Sequence, residues 1–243
     1  MRIHSETGAE TIIQAGAKQL GSAVVTGAAS GIGKAIALRL LADGWNVIGL
    51  DRQSVDDTPV GFSAIKVDLT NRAELASVLA DLGEVGAVVH AAGFMRTASL
   101  GELDADEGAA MWRLHVGVAA EIADVLLPKM NSGGRMVLIG SRTAAGAAGR
   151  SQYAACKAAL VGMARSWAAE LAPKGITVNV VAPGATETPM LNDPARAGTP
   201  PRMPPIGRYI RAEEVAALTS FLLGPDASAI TGQQIVICGG GSI

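Results

Sequence analysis

From residue 22 to residue 238, apolar runs of four to six residues alternate with longer stretches whose apolar positions recur at helical spacing. The runs are SAVVT (22–26), NVIGLD (46–51), SAIKVD (63–68), AVVHA (87–91), RMVLIG (135–140), TVNVVA (177–182) and QIVIC (234–238). Between them the pattern predicts helices at about 31–43, 71–82, 104–130, 151–173 and 212–223. Strands separated by helices return parallel to one another, so this rhythm implies repeated βαβ units around a parallel sheet. Seven strands in 243 residues fit one α/β domain over 22–243, preceded by an N-terminal extension, 1–21. Thr70 is the expected N-cap of the second helix, and Pro173 to Gly175 stop the fourth.

Charge and cysteine usage narrow the function classes. The net charge is −2, and no lysine or arginine run stands out, which argues against a nucleic-acid partner and for a small neutral or anionic ligand. Cys156 and Cys238 sit in apolar or glycine-rich runs that suit buried thiols, pointing to a reduced, cytoplasmic setting. The first residues lack a basic start and apolar core, and no run reaches the ~18 apolar residues of a membrane span. Seven prolines between 183 and 205 forbid regular structure throughout, and a loop this long in a compact domain is usually functional. Residues 184–211 are therefore the expected lid.

VVTGAASGIGKAIALRLLADG places a strand, then Gly27, Gly31 and Gly33, then a helix. Unpaired N–H groups and the helix dipole both favour negative charge at such a turn, which makes it a site for a dinucleotide pyrophosphate. An ordinary βα turn is the plain alternative, but it needs about one glycine rather than three. The spacing, Thr26 through Gly33, resembles the Thr-Gly-x-x-x-Gly-x-Gly fingerprint of the short-chain dehydrogenase/reductase family. HAAG (90–93), Ser141, the Tyr153/Lys157 pair, Asn179, TETPM (186–190) and ITGQQIVICGG (230–240) follow in family order. The resemblance implies a Rossmann-like, doubly wound, mainly parallel seven-stranded sheet in a single domain. It also implies a hydride-transferring enzyme that interconverts a secondary alcohol and a ketone.

The resemblance assigns the cofactor to Gly27, Ser30, Gly31, Ile32 and Gly33 at the turn, and to Ala91, Ala92 and Gly93 after the fourth strand. Asp51 ends the second strand eighteen residues after Gly33, where a carboxylate accepts hydrogen bonds from ribose hydroxyls and repels the extra phosphate of NADP. NAD is the expected cofactor, with Arg52, the next residue, leaving NADP open. Asp68, with Leu69 beside it, resembles the adenine-binding aspartate, or else caps a turn. Pro183, Gly184, Thr186 and Thr188 resemble the segment that covers the nicotinamide carboxamide.

A tyrosine and a lysine four positions apart recur by chance, so Tyr153 and Lys157 gain weight from their place at the start of a helix after a buried strand. Removing hydride from an alcohol requires that its proton also leave, and a phenol of pKa near 10 needs a neighbouring ammonium to serve as base near neutral pH. The resemblance makes Tyr153 the acid/base, Lys157 its tuner and a holder of the nicotinamide ribose, and Ser141 the group that stabilises the substrate oxygen. His115 stands where the family usually has an asparagine that organises a water linked to the lysine; it either replaces that residue in the relay or packs as a histidine satisfied by backbone. His90 is expected to be structural. Arg142 either faces the pocket, implying an anionic substrate, or lies on the surface. No metal site is expected.

The helix SQYAACKAALVGMARSWAAELA is small or apolar on nearly every face, and charged residues make up only 17% of the chain, so a homodimer or homotetramer is expected. A non-catalytic dinucleotide-binding sensor is the rival from another class, and an NADP-dependent carbonyl reductase the rival within it.

Overall fold

A computed structural model describes residues 20–55, 58–194 and 199–243, so nearly all of the extension expected over 1–21 lies outside the described residues. Seven parallel strands form one sheet in the order β3-β2-β1-β4-β5-β6-β9. They are β1 (Ser22–Thr26), β2 (Asn46–Asp51), β3 (Phe62–Lys66), β4 (Ala87–His90), β5 (Arg135–Ile139), β6 (Thr177–Pro183) and β9 (Gln234–Ile237). Each pairing is parallel, as the βαβ rhythm requires. The order reverses between β1 and β4, and in open α/β sheets the crevice at such a switch point binds ligand.

Alternate residues of the central strands feed two cores. Val24, Val88, Leu138 and Val180 pack with Leu75 and Leu79 of α2 (Arg72–Asp81), Ile122 and Leu126 of α4 (Val118–Leu126) and Leu160 of α5 (Ser151–Leu171). On the other face Val25, Val89, Val137 and Val181 pack with Ile36 and Leu40 of α1 (Gly31–Ala42) and Val215 and Leu222 of α6 (Ala212–Leu223). A two-residue pair, β7 (Thr186–Glu187) and β8 (Ile210–Arg211), closes the base of the lid, and a 3-10 turn spans Pro189–Asn192 inside it.

Two expectations are corrected. The helix read as continuous over 104–130 is α3 (Ala105–Trp112), a π-helical turn (Arg113–Gly117), α4 and a 3-10 turn (Leu127–Lys129). A π turn inserts an extra residue into the helical spacing, and its wide loop buries His115 and Val116 side by side. The N-cap of α2 is Asn71, which accepts from the N–H groups of Ala73 and Glu74. Thr70 is instead held by Asp68, whose Oδ1 accepts from its N–H at 2.9 Å and its hydroxyl at 2.7 Å. That turn also ends β3 two residues earlier than the apolar pattern predicts.

Candidate active site

The glycine turn is built by close approach. Gly27 has φ 70°, and a Cβ there would lie 2.9 Å from the backbone of Ala92, so only glycine lets β1 and β4 diverge this tightly. A Cβ on Gly33 would lie 2.1 Å from the Gly27 carbonyl oxygen, which seats α1 directly on the turn. Ser30 precedes α1 in extended conformation and makes no side-chain bond to its first turn. The first N–H groups of α1 therefore have no partner within the helix, the arrangement an anion requires.

A cleft of about 660 Å³ opens over this turn. Gly27, Ser30, Gly31, Ile32 and Gly33 line its floor; Asp51, Arg52, Asp68 and Leu69 line one end; Ala91, Ala92, Gly93 and Thr188 line the other. Asp51 is fixed there by two backbone donors, Ala29 N–H to Oδ2 at 3.0 Å and Gln53 N–H to Oδ1 at 2.9 Å. A carboxylate has about four lone-pair directions, so acceptor capacity is left for a ligand. Asp68 fills the turn role and lines the cleft as well; the Thr70 hydroxyl, then its N–H, hold its carboxyl below the usual carboxylate range. The glycine turn, the unpartnered first turn of α1 and the carboxylate at the end of β2 together fit a dinucleotide.

At the cleft, Arg96 donates from Nε to Glu107 at 3.3 Å and its Nη1 lies 3.5 Å from Asp193, so the segment after β7 is tied to the loop after β4. This link between segments 97 residues apart was not legible in the sequence.

A second, smaller cavity of about 110 Å³ shares Ile32, Ala91, Gly93, Thr188 and Met190 with the cleft and adds Ser141, Tyr153, Lys157 and His115. Pro183, Gly184 and Thr186 line it too, so the residues expected to cover the nicotinamide adjoin those expected to act on substrate. Ser141 ends the segment after β5, and its Oγ accepts from Thr143 N–H at 3.1 Å, which orients the hydroxyl while leaving its own hydrogen to donate. Tyr153 and Lys157 lie one turn apart at the start of α5, both buried, with the Lys157 Nζ 5.6 Å from the Tyr153 ring centroid. Nζ also donates to the Ile139 carbonyl at 2.7 Å, anchoring the lysine to the end of β5. Burial brings the Lys157 ammonium from its ordinary value down to about 7.

His115 stands edge-on to Tyr153, ring centroids 5.6 Å apart, and packs on Gly93, where a Cβ would lie 2.2 Å from its Cε1. Its Nε2 is 2.8 Å from the Phe94 carbonyl. A carbonyl only accepts, so Nε2 carries the proton and Nδ1 is a buried acceptor without a hydrogen-bond partner among the described residues. Burial first, and the Lys157 charge second, hold the imidazole well below the usual histidine value, so it is neutral near pH 7. His90 is structural as expected: Nδ1 meets the Thr26 hydroxyl at 3.0 Å, Nε2 the Leu114 carbonyl at 3.1 Å, and burial takes its pKa to about 3. Arg142 is half-buried and lines the smaller cavity, so the surface reading gives way to the pocket reading. Both cysteines are free and buried. Among the described residues no helix is long and apolar enough to cross a membrane.

Met95, Arg150, Met190, Pro201 and Arg202 also wall the cavity, all within the stretches 93–98, 142–150 and 184–211 from which the sequence draws the pocket walls. Arg150 carried a usable signal, because it lies three residues before Tyr153 and immediately precedes α5. The sequence names those stretches but not which of their residues face the cavity, because that depends on the path of each loop.

Residues 27–242 match the model of a family described as enoyl-(acyl carrier protein) reductase. A 3-oxoacyl-(acyl-carrier-protein) reductase of Salmonella typhimurium is 37% identical over 234 residues, covering 90% of this chain and 96% of that one. A crystal structure of a short chain dehydrogenase from Burkholderia cenocepacia, in complex with NADP, superposes with a TM-score of 0.85 at 34% identity over 93% of this chain and 99% of that one. The aldohexose dehydrogenase of Thermoplasma acidophilum superposes with a TM-score of 0.84 at 25% identity, over 92% of this chain and 94% of that one.

Proposed function

We propose that this chain, which belongs to the short-chain dehydrogenase/reductase family, is an NAD-dependent oxidoreductase interconverting a secondary alcohol and a ketone. The observation that carries the reading is the confluence of Ser141, Tyr153 and Lys157 in one small cavity that adjoins the cleft over the glycine turn. When bound, the nicotinamide supplies or accepts the hydride. Tyr153 gives its proton to the carbonyl oxygen as the alcohol forms, or takes the hydroxyl proton in the reverse direction. Ser141 donates to the same oxygen as charge develops there. Lys157 favours the phenolate while it is protonated and would hold the nicotinamide ribose. His115 is a positioning residue: its neutral Nδ1 accepts from a water on the path by which the proton leaves Lys157, replacing the expected asparagine as an acceptor and not as a cation.

NAD would be preferred because Asp51 presents a fixed carboxylate at the cleft that could accept from ribose hydroxyls and would repel an added phosphate. Charge-assisted hydrogen bonds are worth roughly 1.5–3 kcal/mol, about tenfold or more in affinity. In Asp51→Ala the Kd for NAD is expected to rise at least about tenfold and that for NADP to fall, read by calorimetric titration of both cofactors. Unchanged affinities would remove Asp51 from the selection. NADP is the second reading, favoured by Arg52 at the cleft and by the NADP held in the Burkholderia protein.

Homodimers or homotetramers are proposed on the exposed faces of the helices beside the site. Ala155, Ala158 and Gly162 are exposed along α5, and Trp112 and Val125 stand 49% and 37% exposed on the neighbouring α3 and α4. Free buried cysteines suit a cytoplasmic setting.

A further inference from the structure

The smaller cavity has a marked charge bias. Arg142, Arg150, Arg202 and Lys157 line it, and its lining includes no aspartate or glutamate among the described residues. The three arginines come from three separate segments: the 3-10 turn after β5, the residue before α5, and the lid. Lys157 is spoken for by the Ile139 carbonyl and by its place beside Tyr153. The arginines are not needed for the proton or hydride chemistry, and the cofactor's phosphates would have their own place at the start of α1, which lines the neighbouring cleft.

Two of the guanidinium groups are pre-positioned. Arg142 donates from Nη1 to the Gly241 carbonyl at 2.8 Å, and Arg150 donates from Nη2 to the Thr199 carbonyl at 2.8 Å. A guanidinium has five N–H donors in a planar fork, so one backbone bond aims Arg142 and leaves it donors for a ligand. A cavity lined by cations and by no carboxylate among the described residues favours an anion, and a carboxylate is the partner whose two oxygens match the guanidinium fork. Met95, Met190, Leu191 and Pro201 make the remaining wall apolar.

We infer that the substrate of this site is a hydroxy or oxo acid, whose carboxylate is held by Arg142 and Arg150, with Arg202 on the same wall, while its carbinol or carbonyl carbon faces Ser141 and Tyr153. The inference rests on the oxidoreductase reading for the site's chemistry and deepens it by naming the substrate class.

The test is calorimetric titration of the holoprotein, saturated with whichever of NAD or NADP it binds, with lactate and 3-hydroxybutyrate and with the methyl ester of each. At least one acid is expected to bind ten or more times tighter than its ester. That preference is expected to fall to threefold or less in Arg142→Gln with Arg150→Gln, ester binding unchanged. Arg202→Gln, at an exposed lid position where folding is not at stake, is expected to lower acid binding alone. Equal or tighter binding of the esters, no binding of either acid, or a preference that survives all three substitutions would overturn the inference. Reduced nicotinamide is followed in the same samples. Turnover of esters without turnover of acids leaves the oxidoreductase reading standing and ends this one; arginine-dependent acid binding without turnover does the reverse.

Discussion

Tyr153→Phe is expected to lower kcat by about 10²–10⁴-fold, the usual worth of a positioned acid/base, with the cofactor Kd unchanged within about threefold. The phenylalanine keeps the ring that stands edge-on to His115 and 5.6 Å from the Lys157 ammonium, so packing in this small cluster with Met95, Met111 and Val116 is preserved. What disappears is the single oxygen that exchanges a proton with substrate. A fall in kcat and kcat/KM together, at constant cofactor affinity, identifies an interaction made in the transition state and not in binding. Full turnover by the variant would show that the proton moves by another group.

The second large effect concerns stability and pH. Lys157 titrates near 7 in the fold against an ordinary value of 10.5, because it is buried without a carboxylate partner. A base whose folded pKa is depressed leaves the unfolded chain holding more protons between those two values, so its contribution to stability rises with pH across that window. Each pKa unit corresponds to about 1.4 kcal/mol, which puts the cost of the buried ammonium at roughly 5 kcal/mol below pH 7, fading toward pH 10. Lys157→Met removes that cost but also removes the donor to the Ile139 carbonyl, a loss of about 1–3 kcal/mol. The variant is therefore expected to be more stable than the parent at pH 6 and less stable at pH 9.5, by urea unfolding at each pH, while losing activity at both. A stability difference independent of pH would mean that the amine is not held charged and buried in this way.

The sheet and the glycine turn were legible because their signals are local: a buried parallel strand reads as one apolar run, and Gly33 is required by a contact with Gly27 in the same βα unit, although Gly27 itself answers to the distant backbone of Ala92. Tyr153 and Lys157 were legible for the same reason, being one helical turn apart. The π turn at Arg113–Gly117 was not, since every residue around it suits a regular helix and the extra residue shows only in which side chains reach the interior. Asn71 caps α2 in place of Thr70 because the Thr70 hydroxyl is taken up in donating to Asp68, a bond that composition does not reveal. Arg142 could be singled out in the sequence but not placed. Its company, Arg150 and Arg202, is assembled by the path of the lid and the start of α5, and a bias of charge in a cavity exists only once the fold has brought those segments together.

The central claim is hydride transfer between a nicotinamide and a carbinol carbon at Tyr153, and a deuterium label follows it directly. The protein would be incubated with NADH, and separately with NADPH, carrying deuterium at C4, together with a panel of oxo acids, ketones and sugars, and the products read by mass spectrometry. One deuterium on the carbinol carbon of a product, with NADH the more effective donor and the label lost in Tyr153→Phe, is the expected result. Absence of label from every product with both saturating cofactors would contradict the claim.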